Sequence, residues 1–184
     1  MLMQYLKDHL RERILKAAVD EFYEKGFEGS SIRNIADGAN TSPGNIYRYY
    51  KNKRSLIDGI YQPIEDRIAE IILEENSMHR HGYDTKDIVA RITVLIETYY
   101  KEFYILATTN LADETKHSLI ELIKKRQLSK EKDEDYAHFK AMLVFEGILI
   151  IVRNHFDDLE KAKKYFKSLI YMLFQGKDPD TASY

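Results

Sequence analysis

The chain has 184 residues, with 28 Lys and Arg, 30 Asp and Glu, a formal net charge of −2 at pH 7 and no cysteine. This length fits one large domain or two small ones, and the lack of cysteine excludes a disulfide framework, a Cys-based zinc site and a thiol nucleophile. The N-terminus lacks an apolar leader, and the longest apolar run, 143–152, is interrupted by Glu146 and Gly147, so we expect a cytoplasmic protein with no contact to a membrane.

The charge is distributed unevenly along the chain. Residues 1–54 hold ten Lys and Arg against seven Asp and Glu, a net of +3, and the remaining 130 residues carry a net of −5. A positive end on an otherwise acidic chain is compatible with a footprint on nucleic-acid phosphate.

The apolar pattern predicts an all-α fold. Only three prolines and eight glycines occur, and no stretch alternates with the period of a strand. The first helix is predicted over about 6–25, because Leu10, Ile14, Ala18 and Phe22 recur every four residues. Gly26 follows as the expected left-handed C-cap.

The next segment has the layout of a helix-turn-helix, whose second helix enters the DNA major groove. A short helix is predicted over 31–38 with Ser30 or Ser31 as its cap, and residues 39–41 form the turn. Ser42 and Pro43 are favourable cap and first-turn residues for a third helix. Ile46 and the ring of Tyr50 would anchor that helix to the other two.

Longer helices are predicted for the rest of the chain. The fourth covers about 53–76, capped by Asn52 and kinked by Pro63. Others follow at about 85–108, 113–128, 133–154 and 158–175, the last opened by a capping box of Asp157 and Glu160. We therefore divide the chain into an N-terminal three-helix helix-turn-helix head, residues 1–52, and a C-terminal helical body, residues 53–184.

Residues 10–57 resemble the TetR family of transcriptional regulators. The resemblance is carried by Ile14, Ala17, Ala18, Phe22 and Gly26-Phe27, then by Ser31-Ile32-Arg33, Ile35-Ala36, and finally by Ser42, Gly44, Ile46-Tyr47, Tyr49-Tyr50, Lys53 and Leu56. Two departures stand out. Asn40-Thr41 replaces the usual Gly-Val of the turn. We expect the turn to be kept, because Asn adopts the left-handed backbone conformation more readily than most other residues. Pro43 stands where the family often has Lys or a small residue.

The resemblance implies a DNA-binding surface on the second and third helices. Tyr47, Tyr49 and Lys53 contact phosphates in similar regulators, and Ser31 offers donors at a helix start. Pro43 and Gly44 allow close backbone approach, Asn45 can pair with adenine, and Arg33 or Arg48 can reach guanine. The full set is Ser31, Arg33, Ser42, Pro43, Gly44, Asn45, Tyr47, Arg48, Tyr49 and Lys53. The alternatives are that Tyr47 and Tyr50 are core aromatics, that Arg48, Lys51 and Arg54 form only a solvated face, and that Asn45 is a cap or points to solvent.

The resemblance also implies a repressor that reads palindromic operator DNA as a homodimer and is released from it by a small-molecule effector bound in the C-terminal body. The last two helices carry more apolar surface than one internal face needs, which indicates a partner. We assign the dimer interface to Phe139, Leu143, Ile150, Phe166, Ile170 and Leu173. The effector pocket is assigned to Tyr99, Tyr100, Phe103, Tyr104 and Glu146. Ordinary core packing is the alternative for the aromatic residues, and an ion pair across the dimer or simple solvation is the alternative for Glu146.

Two other functions are weighed against a ligand-responsive regulator. One is a DNA-binding dimer without an effector, with a solid core in its middle helices. The other is a helical metal-dependent hydrolase, for which the nearest groups are His79, His81, Asp84 and Asp87, and His155 with Asp157 and Asp158. Neither group has the helical His spacing of a zinc site, and no phosphate loop or nucleophile elbow is present. We therefore predict no catalytic residues, no metal site and no cofactor.

Overall fold

The computed structural model describes residues 2–78, 85–109, 113–128 and 133–175, with side chains for 5–71, 90–109, 116–125 and 133–172. These residues are helical with short connections, which confirms the all-α prediction. The helices are α1 Leu2–Gly29, α2 Ile32–Gly38, α3 Pro43–Tyr49, α4 Lys53–Met78, α5 Thr85–Thr98, α6 Tyr100–Thr108, α7 Asp113–Leu128, α8 Glu134–Asn154 and α9 Leu159–Gln175.

The head is built on the predicted apolar face of α1. Ile14, Ala18 and Phe22 are buried there against Ile35 and Ile46 of the two short helices. Gly26 breaks the helical backbone of α1 with φ 67° and ψ 167°. The positive φ is as predicted, but this ψ lies outside the left-handed helical region, in a conformation that is essentially restricted to glycine. The chain thereby leaves the axis of α1 and turns towards α2.

The turn between α2 and α3 is held by a residue that sequence reasoning overlooked. Asn40 adopts the predicted positive φ, 48°. The guanidinium of Arg13, on α1, donates to the carbonyl oxygen of Ala39 at 2.5 and 3.1 Å and to that of Asn40 at 2.9 Å. Charged donors on these carbonyls stabilise a turn that lacks the usual glycine. The only sequence signal for this role is a cation on the polar side of α1.

Both predicted caps around α3 and α4 are present. Ser42 Oγ accepts from the amide of Asn45 at 3.3 Å, and Pro43 occupies the first helical position. At the start of α4, Asn52 Oδ1 accepts from the amide of Ser55 at 2.8 Å. Helix α4 continues through Pro63 to Met78.

Two local predictions for the body are wrong. The helix expected over 85–108 is divided at Tyr99, whose φ of −113° and ψ of 32° are not helical, into α5 and α6. The cap of α9 is Asp158 rather than Asp157, because Asp158 Oδ1 accepts from the amide of Lys161 at 3.0 Å.

Helix α6 contacts both the head and other helices of the body. Helix α6 packs along α1 of the head on one side and along α8 on the other, and α7 packs on both α8 and α4. Phe103, Ile105 and Leu106 of α6 are buried with Phe145 of α8 and Phe166 of α9 in a core continuous with that of the head. The head and body therefore share one hydrophobic core rather than two separate ones.

Candidate nucleic-acid interface, body contacts and relatives

Helix α3 presents an exposed polar surface above a buried anchor. Ile46 is fully buried and Tyr50 is nearly so, which makes Tyr50 a core aromatic. One residue from Ile46, Tyr47 is 54% exposed, so its ring is not part of the core. The cap residue Ser42 is exposed, as are Pro43, Gly44 and Arg48 on the helix itself. This arrangement leaves the outer side of α3 exposed at the surface of the head.

Asn45 and Ser31 already have partners within the head. The side-chain amide of Asn45 donates to Thr41 Oγ1 at 3.0 Å, across the turn. Ser31 Oγ accepts from the amide of Asn34 at 3.1 Å, as expected of a cap. The amide of Ser31 and the side chain of Asn34 both donate to Glu21 Oε1, at 3.2 and 2.8 Å. A carboxylate of the protein thus lies at the start of α2, next to the hydroxyl assigned to a phosphate.

The remaining members of the predicted DNA set differ in exposure. Arg33 is exposed on α2, and Tyr49 is half-buried at the end of α3. Lys53 is half-buried at the first position of α4. Its ammonium group donates to the backbone carbonyl oxygens of Phe27 and Ser30.

The tyrosines assigned to an effector pocket contact both the head and the end of α8. The hydroxyl of Tyr100 donates to the carbonyl oxygen of His155 at 2.6 Å, and burial raises its pKa to about 12. The ring of Tyr104 lies 5.1 Å from that of Tyr23 on α1 and 5.3 Å from that of Phe156 after α8. These contacts form a chain of rings from the head through α6 to the connection between α8 and α9.

Two members of the predicted pocket set do not line an open cavity. Phe103 is 3% exposed and belongs to the core. Glu146 is exposed on the outer side of α8, so it does not lie in an enclosed pocket. The apolar run around Glu146 misled the assignment, because that run covers an inner and an outer face of the same helix.

Tyr99 and Tyr100 border a cleft between the head and the body. It has a volume of about 550 Å³ and is bounded by α1, α4 and the connection between α5 and α6. Glu102 also lines it, and burial raises the pKa of this carboxyl group. The backbone carbonyl of Glu102 accepts a hydrogen bond of 2.8 Å from the hydroxyl of Tyr61, which fixes α6 to α4. Both apolar and charged side chains line this cleft, so its lining does not indicate a single chemical class of ligand.

The outer faces of α8 and α9 carry an exposed apolar surface, hereafter the α8–α9 face. Its members are Tyr136, Phe139, Met142, Leu143, Ile150, Tyr165 and Met172, each 41–62% exposed. Of the predicted interface residues, Phe139, Leu143 and Ile150 lie on this face. Phe166 and Ile170 do not, because both are 1% exposed in the core of the protomer. The side chain of Leu173 lies outside those that the structure describes.

Within the described ranges, no group of three His, Cys, Asp or Glu side chains is arranged to hold a metal ion. His79, His81 and Asp84 lie outside these ranges, while the carbonyl of His155 accepts from Tyr100. In the same part of the chain, no helix has the length and apolar character needed to cross a bilayer.

The sequence of the head matches a known family. Residues 14–60 match the profile of the bacterial regulatory proteins of the tetR family. The HTH-type transcriptional regulator YvdT of Bacillus subtilis is 30% identical over 105 residues, 55% of this chain and 52% of YvdT. The chain thus spans about half the length of YvdT, and the same holds for YdgC of that organism, 26% identical over 91 residues, 50% of this chain and 46% of YdgC. IcaR of Staphylococcus aureus, a negative regulator of a biofilm operon, is 21% identical over 180 residues, 89% of this chain and 96% of IcaR.

Solved structures share the whole fold. The fatty acid degradation regulator FadR of Bacillus halodurans superposes with a TM-score of 0.66 at 19% identity, covering 90% of this chain and 98% of FadR. FadR of Bacillus subtilis, in complex with stearoyl-CoA, gives a TM-score of 0.60 at 16% identity, covering 90% and 98% of the two chains. At such identities the likeness extends to the fold alone.

Proposed function

We propose that this chain, a transcriptional regulator of the TetR family, binds palindromic operator DNA as a homodimer and is released from it by a small molecule bound in the body. The observation that carries the proposal is the outer side of α3. There Pro43, Gly44, Tyr47 and Arg48 are exposed directly above the buried Ile46. A rigid helix with an exposed polar side and a fixed base is what major-groove reading requires.

Three kinds of contact are proposed for this surface. Tyr47, Tyr49 and Ser31 donate hydroxyl hydrogen bonds to phosphates, which position the protein without reading sequence. Asn45 exchanges its bond to Thr41 for adenine N6 and N7. Exposed Arg48 or Arg33 reaches guanine O6 and N7. Ser42, Pro43 and Gly44 allow the backbone to approach the duplex.

The α8–α9 face is the proposed dimer interface. Its apolar side chains run along two packed helices and remain 41–62% exposed in the protomer, although Tyr165 lies against the ring of His155 and Tyr136 lies beneath the ammonium group of Lys140. A two-fold symmetric pair buries each face against its copy and presents two α3 helices to successive major grooves. Glu146 then lies within the interface, where it pairs with a cation of the second copy or reaches its rim.

The effector is proposed to act through α6. Helix α6 contacts α1 of the head, so a molecule that displaces Tyr99, Tyr100 or Tyr104 also displaces the head. Such a molecule must prefer the protein state that does not bind DNA, since equal affinity for both states shifts nothing. FadR of Bacillus subtilis binds stearoyl-CoA, which supports an effector with an acyl or other apolar part.

A DNA-binding dimer without an effector is the second candidate. It is favoured by the core position of Phe103 and by the satisfied hydroxyl of Tyr100, which give two of the proposed pocket residues structural roles. In this case the middle helices serve only to join the head to the α8–α9 face.

The test is selection of bound duplexes from a random DNA pool, followed by titration of the selected site. We expect an inverted repeat whose half-sites lie about one helical turn apart. Asn45→Ala should cost about 1–3 kcal/mol at one base pair of each half-site if this side chain reads a base. Recovery of no enriched sequence at low salt would contradict the proposal. Loss of binding on adding acyl-CoA or other apolar molecules separates the two candidates.

A further inference from the structure

We infer that Lys53 is a positioning residue, which closes the base of the helix-turn-helix and does not contact DNA phosphate. The inference rests on the proposed DNA binding and departs from the role that the family resemblance implies. It is carried by the direction of the Lys53 side chain, which points back into the head.

One ammonium group makes three contacts at the end of α1. Lys53 Nζ donates to the carbonyl oxygen of Phe27 and, at 3.1 Å, to that of Ser30. It also lies 4.4 Å from the centroid of the Phe27 ring. Two of the three ammonium protons are therefore committed to backbone acceptors, and the aromatic face provides a further favourable contact for the charge.

These acceptors belong to a packed connection. The Ser30 side chain is buried, and its hydroxyl donates to the Phe27 carbonyl at 2.6 Å. If Lys53 left this connection to follow a phosphate, it would lose two charge-assisted hydrogen bonds and its contact with the ring. Since hydrogen bonds to charged groups are among the stronger ones in proteins, this exchange brings little or no gain.

The sequence positions of the partners explain what the contact does. Phe27 lies in the last turn of α1 and Ser30 lies just before α2, while Lys53 is the first residue of α4, after the connection that follows α3. Residues 31–52, which contain α2, the turn and α3, therefore form a loop whose two ends are joined by Lys53. Closing the ends removes freedom from the loop and fixes the direction of α3 relative to α4. Ile46 and Tyr50 anchor the same loop from inside.

The experiment compares Lys53→Met with Lys51→Met. Lys51 is exposed two residues earlier, so its variant removes the same charge from the same segment without removing the closing contact. For each protein, affinity for the selected operator is measured against salt concentration and corrected for the folded fraction. We expect Lys53→Met to bind about tenfold more weakly, with the wild-type salt slope and a Tm about 3–8 °C lower. Lys51→Met should retain the wild-type Tm.

Two results would overturn the inference. One is a salt slope for Lys53→Met reduced by about 0.9, the value for one lost phosphate contact. The other is unchanged affinity per folded molecule. Lys53→Gln, which keeps an N–H donor but no charge, should recover part of the affinity, and it replaces the Met variant if that variant does not fold. If the wild type binds no duplex, the proposed function fails, and amide hydrogen exchange still tests Lys53, because Lys53→Met must lower the protection of α3.

Discussion

The ammonium group of Lys101, on α6, lies 2.6 Å from the carboxylate of Asp20, on α1. The same ammonium is 5.3 Å from the centroid of the Tyr23 ring. This pair is a direct polar contact between the body and the head. Both side chains are about half exposed, so the contact is better suited to orienting the two parts than to stabilising them.

A double-mutant cycle of Asp20→Asn and Lys101→Met should therefore give a coupling of less than about 1 kcal/mol in the free energy of unfolding. The hydrogen bond that Lys101 donates to the carboxylate of Asp20 raises the pKa of Lys101. The coupling is thus fully present below the pKa of lysine in the unfolded chain and is lost as the pH rises through the raised value. Denaturant titrations at pH 8 and at high pH, with and without salt, measure it. A coupling above about 2 kcal/mol that salt leaves unchanged would contradict this view of a half-exposed pair.

Tyr100 should give the protein an alkaline instability. Its pKa is raised from 10.0 to about 12, chiefly by burial. The unfolded chain therefore loses this proton first, and stability declines between about pH 10 and pH 12. The pKa of Tyr61 is also raised by burial, so the measured quantity is the difference between the wild type and Tyr100→Phe. We expect the variant to show a shallower decline of the unfolding free energy in this window. If the unfolding free energies of the two proteins fell in parallel with pH, Tyr100 would not contribute to the alkaline loss of stability.

Leu143 lies on the α8–α9 face and is 42% exposed. Leu143→Glu should convert the proposed dimer to a monomer, because each copy would bury a carboxylate in the proposed symmetric interface. Val94→Glu is the matched control, since Val94 is 59% exposed on α5 and is not a member of this face. Sedimentation velocity at several concentrations measures both. Equal sedimentation of Leu143→Glu and the wild type would place the interface elsewhere.

Ile46 and Tyr47 are neighbours with opposite expected roles. Ile46→Ala removes a fully buried side chain and should lower the free energy of unfolding by about 2–5 kcal/mol. Tyr47→Phe removes only an exposed hydroxyl, so stability should stay within about 0.5 kcal/mol of the wild type while operator affinity falls. Denaturant titration and DNA-binding isotherms separate these effects. A destabilised Tyr47→Phe would assign this residue to the core.

Gly59 allows α4 to approach Tyr50 and Leu15. A Cβ atom at this position would lie 2.8 Å from Tyr50 Cε1 and 3.0 Å from Leu15 Cδ2. The Tyr50 ring is restrained by a hydrogen bond of 3.1 Å from Arg11. Gly59→Ala should therefore destabilise the protein by about 1–3 kcal/mol, more than alanine gains in helix propensity.

Gly44→Ala is the control for Gly59→Ala. The nearest atom to a Cβ at Gly44 is Ser42 Oγ at 3.9 Å, so this variant should fold as stably as the wild type. It should still weaken operator binding, because the added methyl group lies on the exposed side of α3. Thermal melts of both variants test the contrast. Equal Tm values would show that the Tyr50 ring moves aside for the added methyl group at little cost in stability.

Local patterns made the head the most predictable part of the molecule. The four-residue spacing of Ile14, Ala18 and Phe22, the Ser42-Pro43 start of α3 and the tolerance of Asn40 for positive φ are all properties of short segments. The structure confirms each of them. The cap of α9 shows the limit of such reasoning, since Asp157 and Asp158 are equivalent as cap residues and the backbone path selects the second.

The sequence by itself determined that this protein is all-α, that its head is a helix-turn-helix and which residues anchor that motif, because helix periodicity and caps depend on neighbours within one or two turns. Only the tertiary structure decided how apolar and charged residues of equal local character are used. Phe166 and Ile170 are buried while Tyr165 and Met172 are exposed, since α5 and α8 pack against only part of the surface of α9. Lys53 likewise contacts carbonyl groups that are distant in sequence, because the packing of α4 on the end of α1 brings them together.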